Sequence, residues 1–129
     1  MAHPNENLIR SGFDAFSRGD LDAVRELFAD GIAWHFPGRS AISGDFSGRD
    51  EVLQWLGRSF ELTGGTLKVE LHDVLANDEH VAALTRVTAQ REGKSLDDPS
   101  IQLFHVRDGK ATESWIYPSD QQVSDDFWS

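Results

Sequence analysis

The chain has 129 residues, of which 39% are hydrophobic, 10% aromatic and 26% charged, a composition typical of a globular domain that buries its own core. Twelve Lys and Arg against 22 Asp and Glu leave a formal net charge of −10, which makes nucleic acid and anionic membrane surfaces unfavourable partners. The absence of cysteine excludes disulfides, thiolate nucleophiles and cysteine-based zinc sites.

The N-terminal residues, MAHPNENLIR, contain no basic segment followed by an apolar stretch, so we expect no secretory signal and a cytoplasmic protein. No apolar run approaches the roughly 20 residues that a membrane helix requires, so we expect no membrane span. No stretch of the chain is typical of a linker or a repeat. We therefore expect a single domain over residues 1–129.

The N-terminal half predicts three helices, because apolar residues recur there at steps of three and four. The first helix runs from Asn7 to Ser17, and the second is capped by Asp20 and ends at the ADG sequence. The third follows Ser47 and Asp50, which have the spacing of a capping box. The predicted apolar stripes are Leu8, Ile9, Gly12, Phe13 and Phe16; Leu21, Val24, Leu27 and Phe28; and Val52, Trp55, Leu56 and Phe60.

The C-terminal half predicts strands, because from Thr66 onward apolar and polar residues alternate. The sequences REGK and RDGK are typical of hairpin turns, and four long strands are expected. The SLDDPS sequence is too polar and too interrupted by proline for a central strand, so we expect a bulge there. The last residues, with Ser119 as a possible cap, predict a short closing helix or an extended tail.

The order of elements is helix, helix, short strand, helix and four long strands, which predicts an α+β fold with helices packed on one face of a meandering antiparallel sheet. This order, the GRS…SG…SGRDEVL passage after a proline-ended strand, and VRDGK followed by ESW resemble the NTF2-like superfamily, and within it the SnoaL-like, ketosteroid-isomerase-related group. The resemblance covers nearly the whole chain. It implies a cone in which three N-terminal helices pack on a curved, mostly antiparallel sheet around an apolar pocket, commonly as a homodimer.

Proteins of this superfamily include isomerases, polyketide cyclases and hydrolases as well as pure binding domains, so the resemblance leaves two hypotheses open. The first is a cofactor-free acid/base enzyme of the isomerase, cyclase or hydrolase type that acts on a hydrophobic, oxygenated ring compound. The second is a non-catalytic ligand-binding or protein-interaction domain with the same fold. In ketosteroid isomerases a general-base aspartate immediately precedes the proline, and here that position looks like Phe36. We therefore expect no true steroid isomerase.

Strand alternation predicts which side chains line the pocket. In the WHFPG sequence, Trp34 and Phe36 lie on one face of the predicted strand and His35 lies on the opposite face. By resemblance to the isomerases, Gln102 looks like the residue at the position of their second, neutral acid, and the Ser114 face of the last strand lines the pocket. Trp55, on a helix face, is either core or pocket wall. The expected ligand-binding residues are Trp34, Phe36, Phe16, Trp55, Gln102, Phe104, Ser114 and Ile116.

Two side chains are candidates for catalysis. Asp120 follows the last strand and either lies over the pocket mouth or caps a helix. His105 alternates with Phe104, so one of the two faces the pocket. The histidines have no spacing typical of metal ligands, so we expect neither a metal nor another cofactor. Trp115 and Tyr117, opposite to the Ser114 face, are expected at the homodimer surface.

Overall fold

Residues 2–129, which the computed structural model describes, form four helices and six strands. In chain order these are α1 (Pro4–Ser17), α2 (Leu21–Glu26), β1 (Phe28–Phe36), β2 (Gly44–Ser47), α3 (Arg49–Leu62), β3 (Lys68–Ala76), β4 (His80–Arg91), β5 (Lys94–Arg107), β6 (Lys110–Pro118) and α4 (Gln121–Trp128). The α+β class and the three N-terminal helices are as predicted, and the last residues form the closing helix, one of the two alternatives expected there.

The strands form one curved sheet in the order β2-β1-β6-β5-β4-β3. Every neighbouring pair is antiparallel except β1 and β6, which run parallel. Residues of β5 alternate between buried and more exposed positions from Leu96 to Val106, so one face of the sheet is covered and the other is open. Buried apolar side chains of the covered face pack against the helices.

The predicted boundaries are wrong at three places in the N-terminal half, the first being the start of α1, which begins at Pro4 and not at Asn7. Helix α2 ends at Glu26, and Phe28 begins β1, where it pairs with Ala111 of β6 instead of extending the helical stripe. The expected Ser47–Asp50 capping box is absent. Ser47 ends strand β2, which the sequence pattern did not predict, and α3 begins after Gly48, a residue in the left-handed region at φ 89°.

The prediction of a bulge in the SLDDPS sequence is also wrong, because β5 continues through this sequence and pairs with β4 in unbroken register. Strand β6 ends at Pro118, opposite Ser100 of β5. Pro99 therefore lies where β5 has a free edge, and its missing N–H removes no hydrogen bond from the sheet. As a consequence, the side chains before Pro99 keep the alternation of the rest of the strand.

The core lies between the covered face and the helices. Phe28, Val52 and Leu56 are buried, whereas Phe13, Phe16 and Leu27 of the predicted stripes are half-buried. Among residues 2–129, none of the helices combines the length and the apolar composition that crossing a bilayer requires.

Candidate functional site

A cavity of about 130 Å³ lies between the covered face of the sheet and the helices. Most of its wall is aromatic or aliphatic. All the expected ligand-binding residues except Ser114 line it: Phe16, Trp34, Phe36, Trp55, Gln102, Phe104 and Ile116. Ser114 lies behind the wall, fully buried, and its Oγ accepts a hydrogen bond from Gln102 Nε2 at 2.9 Å. Strand alternation placed Trp34 and Phe36 together on the cavity side, and the binding of a ligand by these residues stays a prediction.

Trp34 lies within a cluster of aromatic rings in the wall. Its ring centroid is 5.6 Å from that of Phe28, 5.7 Å from Trp55 and 6.5 Å from Phe104. The side chain is 4% exposed, and its indole Nε1 has no hydrogen-bond partner within residues 2–129. A buried donor without a partner costs about 1–3 kcal/mol. By contrast, Trp55 Nε1 donates to the Ile42 carbonyl at 2.8 Å.

A row of polar side chains on β5 faces the cavity: Asp98, Ser100 and Gln102, which are 7%, 8% and 9% exposed. Ser100 Oγ is 2.7 Å from Thr85 Oγ1, so these two hydroxyls satisfy each other. Asp98 Oδ1 accepts hydrogen bonds from Ser119, from the backbone N at 3.0 Å and from Oγ at 2.6 Å. Its second oxygen receives no hydrogen bond from the described residues. The wall thus contains a carboxylate with one free oxygen.

Asp98 is the only charged side chain among the described residues that line the cavity, and the sequence analysis missed it. The reason is the bulge expected at Pro99, which would have broken the alternation. The signal that could have found it is present in the chain: Asp98 lies four residues before Gln102 and therefore on the same face of an unbroken strand.

The two candidate catalytic residues lie outside the cavity wall, which corrects the expectation that they act there. Asp120 is exposed and is the N-cap of α4, where its carboxylate accepts a hydrogen bond from the Val123 backbone N at 3.1 Å. His105 lies on the open face of the sheet, because Phe104 takes the cavity side. Its ring centroid is 4.8 Å from that of Trp115 and 4.9 Å from that of His80.

His35 faces away from the cavity, and its polar contacts hold strands together on the open face of the sheet. Its Nδ1 is 2.7 Å from Asp45 Oδ1 on β2, and its Nε2 is 2.7 Å from Glu113 Oε2 on β6. Trp115 stacks against the imidazole at 5.2 Å. The hydrogen bonds to Asp45 and then to Glu113 raise the pKa of His35, because both carboxylates favour the imidazolium form.

The fold belongs to a known class of protein. A SnoaL-like domain model matches residues 9–114, and the chain belongs to the SnoaL-like family. It is 37% identical to an uncharacterized protein of Mycobacterium tuberculosis over 124 residues, 95% of each chain.

Solved structures share the fold of this chain. The protein Bal32a, from a soil-derived mobile gene cassette, has a TM-score of 0.94 and 37% identity, with 98% of this chain and 97% of that chain covered. An NTF2-like protein from Burkholderia xenovorans LB400 has a TM-score of 0.83 and 20% identity, with 98% and 96% covered. At that identity the second likeness concerns the fold alone.

We predict that the contacts of His35 make stability depend on pH. The folded-state pKa lies above the ordinary value of 6.5, so the stabilisation is complete below pH 6.5 and is lost as the pH rises through the folded-state pKa. His35→Gln should therefore lower the free energy of unfolding more at pH 5.5 than at pH 9 in denaturant titrations. The matched control is His72→Gln, at an exposed position on β3. An equal loss for His35→Gln at both pH values would contradict the prediction.

Proposed function

We propose that the protein binds an uncharged, hydrophobic ring compound in the cavity between the sheet and the helices. The observation that carries this proposal is the wall itself, in which aromatic and aliphatic side chains line most of the cavity. The volume of about 130 Å³ is close to that of an engineered cavity of roughly 150 Å³ that binds benzene. Such a volume favours a ligand with one ring over the fused rings of a steroid.

The charges of the wall residues and of the whole chain favour an uncharged ligand. None of the described residues in the wall is a Lys, Arg or His, and Asp98 would repel a second negative charge. Burying an unpaired charge in an apolar wall is costly. The net charge of −10 disfavours the approach of anions as well.

We predict that filling the cavity abolishes binding. Toluene should bind the wild-type protein in calorimetric titration, and Ile116→Phe, which enlarges a side chain of the wall, should weaken that binding at least tenfold. Leu75→Phe is the matched control, because Leu75 is 59% exposed and does not line the cavity. Failure of the wild-type protein to bind toluene, or equal affinities for the two variants, would contradict the proposal.

Asp98 favours a second candidate function, acid/base catalysis on the bound molecule. Phe36, which precedes Pro37, is buried and carries no proton acceptor, so a base at that position is missing. The free oxygen of Asp98 offers a proton acceptor at another place in the same wall. A general base of this kind contributes roughly 10²–10⁴-fold to a rate. The carboxylate would remove a proton from a carbon next to a carbonyl group and return it to another carbon, which is an isomerisation without a co-reactant.

We predict that the protein converts cyclohex-3-enone to cyclohex-2-enone, followed by absorbance of the conjugated product, and that Asp98→Asn lowers the rate about 10²–10⁴-fold. Asparagine keeps an oxygen that can accept the two hydrogen bonds from Ser119, so the fold should be retained. Asp120→Asn serves as the control outside the cavity. Equal rates for the wild type and Asp98→Asn would show that Asp98 is not the base.

A homodimer through the open face of the sheet is part of the same proposal. Ile101 and Tyr117 face each other across β5 and β6 on that face, 44% and 50% exposed, and Trp115 lies beside them. Neighbouring apolar side chains of this kind are typical of interaction surfaces. We predict that sedimentation gives a species of twice 14.4 kDa and that Tyr117→Glu shifts it to the monomer. A monomer at all micromolar concentrations of the wild-type protein would refute the dimer.

A further inference from the structure

We propose that Trp34 recognises a hydrogen-bond acceptor on the bound molecule through its indole N–H, so that the ligand is an uncharged ring compound that carries a carbonyl or ether oxygen. This inference rests on the proposed function, because it concerns the same cavity. It names the residue that recognises the ligand and the chemical group of the ligand that is recognised.

The first step is that Trp34 Nε1 has no hydrogen-bond partner among the described residues, unlike the other buried polar groups. It is the only buried side-chain nitrogen or oxygen within residues 2–129 without a hydrogen-bond partner. Trp55 lines the same cavity, and its Nε1 donates to the Ile42 carbonyl. Buried donors in proteins are nearly always paired, so an exception in a cavity wall calls for a partner from outside the chain.

The second step is that no oxygen of residues 2–129 accepts a hydrogen bond from the Trp34 N–H. The rings packed around the indole belong to Phe28, Trp55 and Phe104, and ring faces are weak acceptors. Ser114 pairs with Trp34 across β1 and β6, but its Oγ accepts a hydrogen bond from the Gln102 amide and none from the indole. An acceptor brought by a ligand would therefore displace no hydrogen bond that the described residues already make to this N–H.

The third step concerns selectivity. A net hydrogen bond of this kind changes an affinity about three- to tenfold. A ketone also loses hydrogen bonds to water on entering the cavity, so its affinity alone does not reveal the contact. The informative quantity is the effect of removing the indole N–H on a ketone, compared with its effect on a molecule of the same shape that has no oxygen.

The test compares cyclohexanone with methylenecyclohexane, in which a CH₂ group replaces the carbonyl oxygen. Trp34→Phe should weaken cyclohexanone binding about three- to tenfold more than methylenecyclohexane binding. In ¹H–¹⁵N spectra of the wild-type protein, cyclohexanone should move the Trp34 indole N–H signal downfield, and methylenecyclohexane should not. The indole signal of Trp55, whose N–H is already bonded, serves as the internal control.

The spectra of the wild-type protein keep the proposal testable even if Trp34→Phe fails to fold. If both compounds bind and the Trp34 signal responds equally to them, the inference is overturned and the cavity-binding proposal stands. If neither compound nor toluene binds, the proposed function itself fails. Equal weakening of both compounds by Trp34→Phe would also overturn the inference, because it would mean that the ring fills space without donating a hydrogen bond.

Discussion

The parallel pairing of β1 with β6 is the constraint on which the rest of the structure depends. It sets Trp34 beside Ser114 and His35 beside Trp115, and so decides which side chains reach the helices and which reach the open face. A slip of one residue would exchange the two sets, because the side-chain period of a strand is two. The apolar cavity and the charged cluster around His35 are therefore two results of a single register.

The two faces of the sheet carry different kinds of side chain. On the covered face, aromatic rings line the cavity, and Asp98 is the one carboxylate among the described residues of its wall. On the open face, His35 joins Asp45 of β2 to Glu113 of β6, which ties the short strand β2 to the sheet. The titratable cluster thus stabilises the strands that carry the cavity wall without entering it.

Periodicity predicted the helices, the hairpins and the opposite orientations of Trp34 and His35, because these depend on local geometry. It failed at Phe28 and Ser47, where pairing with distant strands outweighs local preference. It failed also at Pro99, which is tolerated because β6 ends beside it, a fact about another part of the chain. That single error concealed Asp98, because the alternation that places Asp98 on the same face as Gln102 holds only when the strand is unbroken at Pro99.

The distribution of the indoles gives the protein an optical property. Trp34, Trp55 and Trp128 line the cavity, and Trp115 lies on the open face. The rings of Trp34 and Trp55 are 5.7 Å apart, close enough for excitation to pass between them. Three of the four indoles that absorb ultraviolet light therefore lie in the cavity wall, so a molecule that enters the cavity meets the chromophores directly.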